Sequence, residues 1–513
     1  MENKFIRRDD LTPQIRMFIA FTAMMAMTFG DWGTITNLSR EFTISRTFVY
    51  MLASRLELAS QLFFGISSVL HQTPDCKDAY RYMLSLRMEG KCSIVACSTI
   101  MKRFEIKLSS VGSVSQYLSK FGSFLPTTLP AGIVVQVLVF ASDEIFSKKT
   151  PILVTVDPIS SAILRVELAD SRNADVWANH WECLIDNGYC VAYLVCDEGK
   201  GLCKARKEAL ADVFRQSDTY HAVAHILGMW VRRLEEAAYN AIEAEDDAFK
   251  KLDSAKSEKV INKRIDKCEK AKQVADEAIE LYETFNFLYE CLIEELKVFD
   301  KNGKLRDRKE VEENIRISLD LIEDLGKTAI TTAARKVRRA LPDLFNYLDV
   351  AKEVVDELEQ MDIDPHALRA LCLAWQWNKA VIKSKKTART KYCKMNQEFC
   401  LEFATGHLQD EFDNIKDHVF NQLDQIVQSS AMVECINSII RPYLDTTKNK
   451  INQNFLNLIM FYHNHRRYNA GKRKGKTPME ILSGKEQEKN WIDLLFDIVE
   501  RKDPSFFSAV SRS

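Results

Sequence analysis

The sequence lacks three things, and each shortage closes a class of function. It lacks paired cysteines. Thirteen are scattered through 513 residues with no CxxC pair, and close neighbours such as Cys92 with Cys97 and Cys190 with Cys196 have no partners at zinc-site spacing. Reduced thiols in a cytoplasmic protein are expected, not a disulfide framework. It lacks an apolar run long enough to span a membrane. The longest near the start, "MFIAFTAMMAMTFG" (Met17–Gly30), falls short of the roughly 20 residues a span needs. No small-residue cleavage site comes after it, so a buried helix is expected there and a targeting segment is not. It also lacks net charge: 71 Lys and Arg stand against 72 Asp and Glu, a formal charge of −1. Any attraction for a polyanion must therefore come from local basic patches. What remains is ordinary for a globular chain, at 46% hydrophobic and 28% charged residues, with length for roughly three or four domains.

The first 75 residues read as short helices. Between Thr34 and Leu58 the pattern is helix, tight turn, helix: Ile35, Leu38 and Phe42 mark the first helix, and Ile44 and Ser45 the turn, with Ser45 placed to cap the second helix. Phe48, Met51, Leu52 and Leu56 are the expected buried face of that second helix. In a helix-turn-helix it enters a major groove, and Arg46, Thr47 and Tyr50 are its exposed candidates. The plain alternative is two packed helices. Residues 76–132 hold a weaker copy (Ser93–Phe124, with Ser113 or Ser115 as caps) and a proline-marked linker, "LPTTLPAG".

The texture changes over 133–228. "IVVQVLVFASDEIF", "PILVTVDP" and "AILRVELAD" read as buried strands, the first spanning Val134–Ile145. "ADVWANHWECLIDNG" reads as a helix with a glycine stop, and "CVAYLVCDEG" as a fourth strand. "SDTYHAVAH" comes next, with His221 and His225 at a zinc-ligand spacing but no third ligand. Residues 229–425 read as an all-helical segment, with Ile261, Ile265, Cys268, Ala275, Ile279 and Tyr282 on one seam. In 426–485, "SSAMVECINSIIRPYL" is an amphipathic helix. The loop after the next helix carries Arg466, Arg467, Lys472, Arg473, Lys474 and Lys476, a phosphate-binding candidate or a solvated loop. A helical tail, 486–513, ends the chain.

A β-β-β-α-β unit with "VFASDEIF" on its first strand and "LVCDEGKG" at the end of its fourth resembles an RNase H-like core. With "SSAMVECINSIIRPYL" and "FYHNHRRYNAGKRKGKTPMEIL" behind it, the pattern resembles that of DDE transposases and retroviral-type integrases, over about half the chain. The resemblance implies an α/β RNase H-like catalytic core, a mixed five-stranded sheet with helices, interrupted by a large all-α insertion and preceded by helix-turn-helix DNA-binding domains. It implies a carboxylate triad of Asp143, Asp197 and Glu434. In the family the second strand often ends in an aspartate before a turn that is not a ligand. Asp157, in "VDPISS", is therefore the alternative first carboxylate and not the preferred one. The gap from Asp143 to Asp197 is 54 residues (197 − 143), usual for the family, against 40 (197 − 157) from Asp157. Glu144 points to the face opposite Asp143 and is expected to be structural.

The same resemblance implies more. Arg441, seven residues after Glu434, stands where some cut-and-paste transposases place a DNA-contacting cation. The 237 residues from Asp197 to Glu434 (434 − 197) match families with an insertion before the glutamate helix. There an insertion-domain tryptophan can stack on a flipped base, and Trp375 and Trp377 are the candidates, with core packing the alternative. His221 resembles the histidine of an Asp-x-x-His element and is a possible support to the site. The implied cofactor is a pair of Mg²⁺ ions, with Mn²⁺ able to substitute. The implied partners are double-stranded DNA, as terminal inverted repeats and target, and further copies of the chain in a homodimer or higher oligomer. No membrane is expected, and the location is cytoplasmic, on the nucleoid when DNA is bound. A related nuclease that cuts without joining, or a domesticated, inactive DNA-binding regulator, is the competing reading.

Overall fold

The computed structural model describes residues 8, 10–64, 76–132, 136–254, 256–448 and 450–507. Val134, expected to open the first strand, and residues 65–75 and 508–513, at the ends of the first and last expected domains, lie outside them. Two compact units are present, Met1–Ala79 and Tyr80–Ser513.

In the first unit α1 (Pro13–Phe29) starts on a Thr12 cap with proline at its first position and stops at Gly30 in the left-handed region. The apolar run is thus helical, but only Ile19, Ala20, Ala23 and Ala26 within it are buried, while Met17, Phe18, Phe21 and Phe29 are exposed. The expectation of a fully buried helix fails, because one small-residue stripe covers the contact. Helices α2 (Thr34–Glu41) and α3 (Arg46–Phe64) flank the expected turn, and Ser45 Oγ accepts the Phe48 N–H at 3.1 Å. The stripe that α3 buries runs through Val49, Leu52, Ala53 and the partly buried Leu56. It leaves Met51, expected inside, on the outer face. Arg46, Thr47 and Tyr50 are exposed.

The second unit begins within α4 (Cys76–Leu84) and takes in α5 (Ile94–Arg103) and α6 (Val111–Ser123). Ser110, not Ser113 or Ser115, caps α6 by accepting the Ser113 N–H. This weaker copy of the helical pattern is built into the unit, because α6 crosses the later helix Gln453–His465. A Cβ on Gly122 would fall 1.8 Å from the Asn454 carbonyl oxygen, so only glycine allows the crossing.

Next come β1 (Gln136–Ser147), β2 (Thr150–Val156), β3 (Ile163–Leu168), α7 (Ala174–Asp186), β4 (Tyr189–Cys196), α8 (Lys200–Ala209) and β5 (Arg215–Ser217). They make one five-stranded mixed sheet in the order β3-β2-β1-β4-β5. β1–β2 and β2–β3 are antiparallel; β1–β4 and β4–β5 are parallel. Asp143 pairs with Val154, so alternation sends both to one face and Ser142 and Thr155 to the other. On that second face lies a buried polar chain. Trp181 Nε1 donates to Ser142 Oγ (3.1 Å), Ser142 Oγ meets Thr155 Oγ1 (2.8 Å), Thr155 meets His180 Nε2 (3.0 Å), and His180 Nδ1 meets Glu167 (2.9 Å). One proton arrangement satisfies every link, with Nδ1–H donating to the carboxylate.

After a π-helical turn (Tyr220–His225) come α9 (Ile226–Asp253), α10 (Glu258–Glu295), α11 (Arg308–Asp324), α12 (Thr328–Leu344), α13 (Asn346–Glu359), α14 (Pro365–Lys383), α15 (Thr387–Leu408) and α16 (Phe412–Leu423). Among the described residues no strand lies within this segment, as expected of it. On the expected seam of α10 only Cys268 and Ala275 are buried, and Ile265 is exposed. The helices share a core with Val223 and Leu227 at the exit from β5. The clasp between the two parts is Arg215: it pairs with Glu198 (3.1 Å) and with Asp343 of α12 (2.7 Å), and Gln216 donates to the Leu344 carbonyl. Helices α17 (Ala431–Thr446), α18 (Gln453–His465), α19 (Pro478–Ser483) and α20 (Trp491–Lys502) close the fold, with α17 on β1 and β2 and α18 on β3. Among the described residues no helix is long and apolar enough to cross a membrane.

Burial holds His180 neutral, its pKa pushed down to about 4, and does the same to His463, whose ring is enclosed against the Ser161 carbonyl. An unfolded histidine titrates near 6.5, so below that pH the unfolded chain takes up protons that the folded one refuses. Stability is therefore full above about pH 6.5 and is lost as pH falls toward 4, on the order of 3 kcal/mol per histidine. Denaturant titrations at pH 7, 5.5 and 4.5 should show this fall, and His180→Asn should flatten it. A stability that is the same at pH 7 and 4.5 would contradict the buried neutral rings.

Candidate functional site

Two carboxylates meet at the centre of the sheet. Ala141 pairs with Val195 across the parallel β1–β4 ladder, so two residues further on Asp143 stands beside Asp197. Adjacent strands are about 4.8 Å apart. Burial pushes the half-buried Asp143 carboxyl up to about 7, and the charges of Glu434, Glu144 and Asp197 add to the rise. Both other expected triad members therefore act electrostatically on Asp143. Asp197 sits just past β4, where one carboxylate oxygen accepts the Gly199 N–H at 2.8 Å. The same loop passes so close to the chain at Arg172 that a Cβ on Gly201 would meet its carbonyl oxygen at 2.5 Å. Glu144, on the other face, takes an ion pair from Arg172 at 2.5 Å.

Glu434 arrives from α17. The helix is fastened to Asp143 by Asn437, whose Nδ2 donates to Oδ2 at 2.9 Å. Asn437 is fully buried, and its Oδ1 has no hydrogen-bond partner among the described residues. Glu434 itself is held loosely between two basic side chains: His221 Nε2 is 3.9 Å from one oxygen and Arg441 3.7 Å from the other. Neither distance is a hydrogen bond; both are electrostatic contacts. The structure thus brings His221 and Arg441 to the same carboxylate. Among the described residues no three His, Cys, Asp or Glu side chains are already gathered as a metal-binding group.

Asp218 determines where both His221 and Glu434 stand. One oxygen accepts the N–H groups of Tyr220 (2.8 Å) and His221 (3.1 Å); the other accepts Ser430 N–H (2.8 Å) and its hydroxyl. Ser430 is the residue from which α17 springs. A second anchor holds the far end: buried Arg87 donates to Thr446 Oγ1 (2.8 Å) and lies over the Phe455 ring, and Tyr443 Oη donates to the Met88 carbonyl.

The remaining sequence candidates are placed differently. Asp157 is buried in the β2–β3 turn, accepting Ser160 N–H at 2.8 Å and Ile159 N–H at 3.4 Å, and is thereby engaged away from the Asp143 carboxylate. Trp375 is 2% exposed and donates to Asp424, so its ring is not offered to a base; burial in the helical core corrects that expectation. Trp377 is partly exposed, edge-on to Tyr392. Much of the basic loop is engaged internally. Arg467 binds Glu480 and the Gly475 and Gln487 carbonyls, Lys472 binds Asp424, Arg473 binds the Pro158 and Ile159 carbonyls, and Arg466 lies near the Tyr462 and Tyr468 rings. Lys474 and Lys476 are exposed. Arg215, Asp343, Ser430 and Arg87, which position the site, carry no local sequence signal, since their partners are remote in the chain.

No protein-family model matches the chain, and no curated protein shows significant similarity to it.

Asp218→Asn replaces a charged acceptor of four donors by an amide with one acceptor oxygen. Hydrogen bonds to charged groups contribute about 1.5–3 kcal/mol each, so by that measure the variant should lose at least about 2 kcal/mol in urea titrations. Asp212→Asn, at an exposed position, should stay within about 0.5 kcal/mol. Equal effects would remove Asp218 as the anchor.

Proposed function

We propose that the chain is a DDE-type DNA transposase with an RNase H-like core, which cuts DNA at element ends and joins them to a target. The observation that carries this reading is the placement of Asp143 and Asp197 two residues beyond the last pair, Ala141 and Val195, of the parallel β1–β4 ladder, with a helix bearing Glu434 from 237 residues further along. The order β3-β2-β1-β4-β5, with its antiparallel and parallel halves, supports it.

The donor set fits a hard divalent cation. The three side chains offer only oxygens, and the unpartnered Asn437 Oδ1 adds a buried acceptor beside them. Asp143, Asp197 and Glu434 would hold two Mg²⁺ ions, which when bound supply activation of the attacking oxygen and stabilisation of the leaving one. Asn437 orients the Asp143 carboxylate, and Gly199 occupies one oxygen of Asp197 while leaving the other free. His221 and Arg441 brace the Glu434 carboxylate and flank the place where a scissile phosphate would lie. On this reading α3 of the first unit, with Arg46, Thr47 and Tyr50, reads duplex DNA, Lys474 and Lys476 touch phosphates, and two copies hold the two ends.

The test is cleavage of DNA carrying the element's own ends, with and without Mg²⁺. Asp143→Ala, Asp197→Ala and Glu434→Ala should each fall to background while melting as folded proteins. Asp157→Ala should still cut. Cutting without joining would make the protein a nuclease. Specific binding with no cleavage by the intact chain would make it a regulator.

A further inference from the structure

A cavity of about 620 Å³ opens beside the carboxylate site. One wall is Thr219, Tyr220, Gln428 and Ser429, which flank Asp218 and His221 on one side and the start of α17 on the other. The opposite wall comes from the end of α10 and the α14–α15 junction, and it carries Lys297, Lys379, Lys383, Lys385, Lys386 and Arg389. Not one lining residue is acidic. Among the described residues Lys383, Lys385, Lys386 and Arg389 are exposed and enter no ion pair; Lys297 alone of the six has a carboxylate partner, Glu294. Lys379 is the deepest, its ammonium 3.8 Å from the Trp375 ring centre. Asp424, the carboxylate bonded to that indole, is already taken by Lys472.

Four exposed, unpaired cations, Lys383, Lys385, Lys386 and Arg389, line one volume whose walls carry no acidic group, and an anion that enters relieves their mutual repulsion. The cavity is the size of a site for a drug-sized molecule, too small for a duplex and large enough for one or two nucleotides. Its rim shares residues 219–220 and 428–429 with the structure that holds His221 and Glu434, so a chain leaving the carboxylates passes directly into it. We propose that this cavity binds the phosphodiester backbone of a single nucleic-acid strand next to the carboxylate site. The assignment rests on the nucleic-acid reading of that site. The shared chemistry is a phosphate chain, and a free polyphosphate is the other source of it.

The experiment measures binding of a labelled ten-nucleotide single strand to the full chain across a salt series, without divalent metal. Each phosphate contact contributes roughly −0.7 to the slope of log K against log salt for single strands. Lys383→Ala/Lys386→Ala/Arg389→Ala, all at exposed positions, should on that basis cut the slope by about 2 and weaken binding at least about tenfold at low salt, with the melting temperature unchanged. Inorganic tripolyphosphate should compete only weakly. Unchanged slope and affinity in the triple variant would overturn the proposal, and so would tight tripolyphosphate binding without strand binding, which would make the cavity a small-anion site. The two readings separate cleanly. Loss of strand binding in the triple variant of a protein that never cuts DNA leaves the cavity standing and removes the transposase. Cleavage by the intact chain with strand binding untouched in the variant does the reverse.

Discussion

The site in the second unit turns on one physical constraint: Asp143 is a carboxylate buried close to other carboxylates. Burial is the larger part of what this costs Asp143, and the charges of Glu434, Glu144 and Asp197 add to it. A flexible chain would relieve this by letting them separate. Here the parallel ladder joins β1 and β4 as far as Ala141 and Val195, two residues before Asp143 and Asp197, so the two backbones cannot drift apart. The cost shows in Asp143, which burial and its acidic neighbours hold near a neutral pKa of about 7. A site that keeps such groups together draws its stability from elsewhere.

That support is polar and buried, and it lies on both sides of the sheet. Beneath β1 the chain from Trp181 through Ser142, Thr155 and His180 to Glu167 stiffens the strand one residue from Asp143. Above it, α17 is pinned at its start by Asp218 and near its end by Arg87. Between those anchors Asn437 is tied to Asp143, while Glu434 stays half-exposed between His221 and Arg441. The backbone of the helix is thus fixed at both ends, and the glutamate side chain meets its two basic neighbours at 3.7 and 3.9 Å.

Much of this arrangement was legible in the sequence, for physical reasons. Apolar β-branched runs marked the strands of the block from Gln136 to Cys196, and Asp-Pro chemistry marked Asp157 as a turn residue. Periodicity placed α17 and the helical segment, since long elements declare their own period. What failed were statements about facing. Met51, the outer residues of α1 and Trp375 were misassigned or left open because which side a helix buries depends on a neighbour that the local pattern does not reveal. The anchors failed to show for the same reason. Arg215 reads as one charge opening a three-residue strand, and nothing local announces that Asp343 waits 128 residues later. β5 itself, only Arg215–Ser217, is too short to carry a period.

Arg215 also settles what kind of insertion the helical segment is. Its guanidinium donates to the Asp197 carbonyl at 3.1 Å, pairs with the adjacent Glu198, and reaches across to Asp343 of α12. Asn346 and Gln216 repeat the link through the backbone on either side. Arg215 is buried while its two carboxylate partners are about two-fifths exposed, so solvent screens the pairs and the guanidinium's hydrogen bonds carry the link. The insertion is therefore not an appendage carried between β5 and α17. It grips the strand end that bears Asp197, from the side opposite the grip of β1. The position of Asp197 is then a joint property of the sheet and of Arg215, whose guanidinium is itself braced by Asp343 of a distant helix.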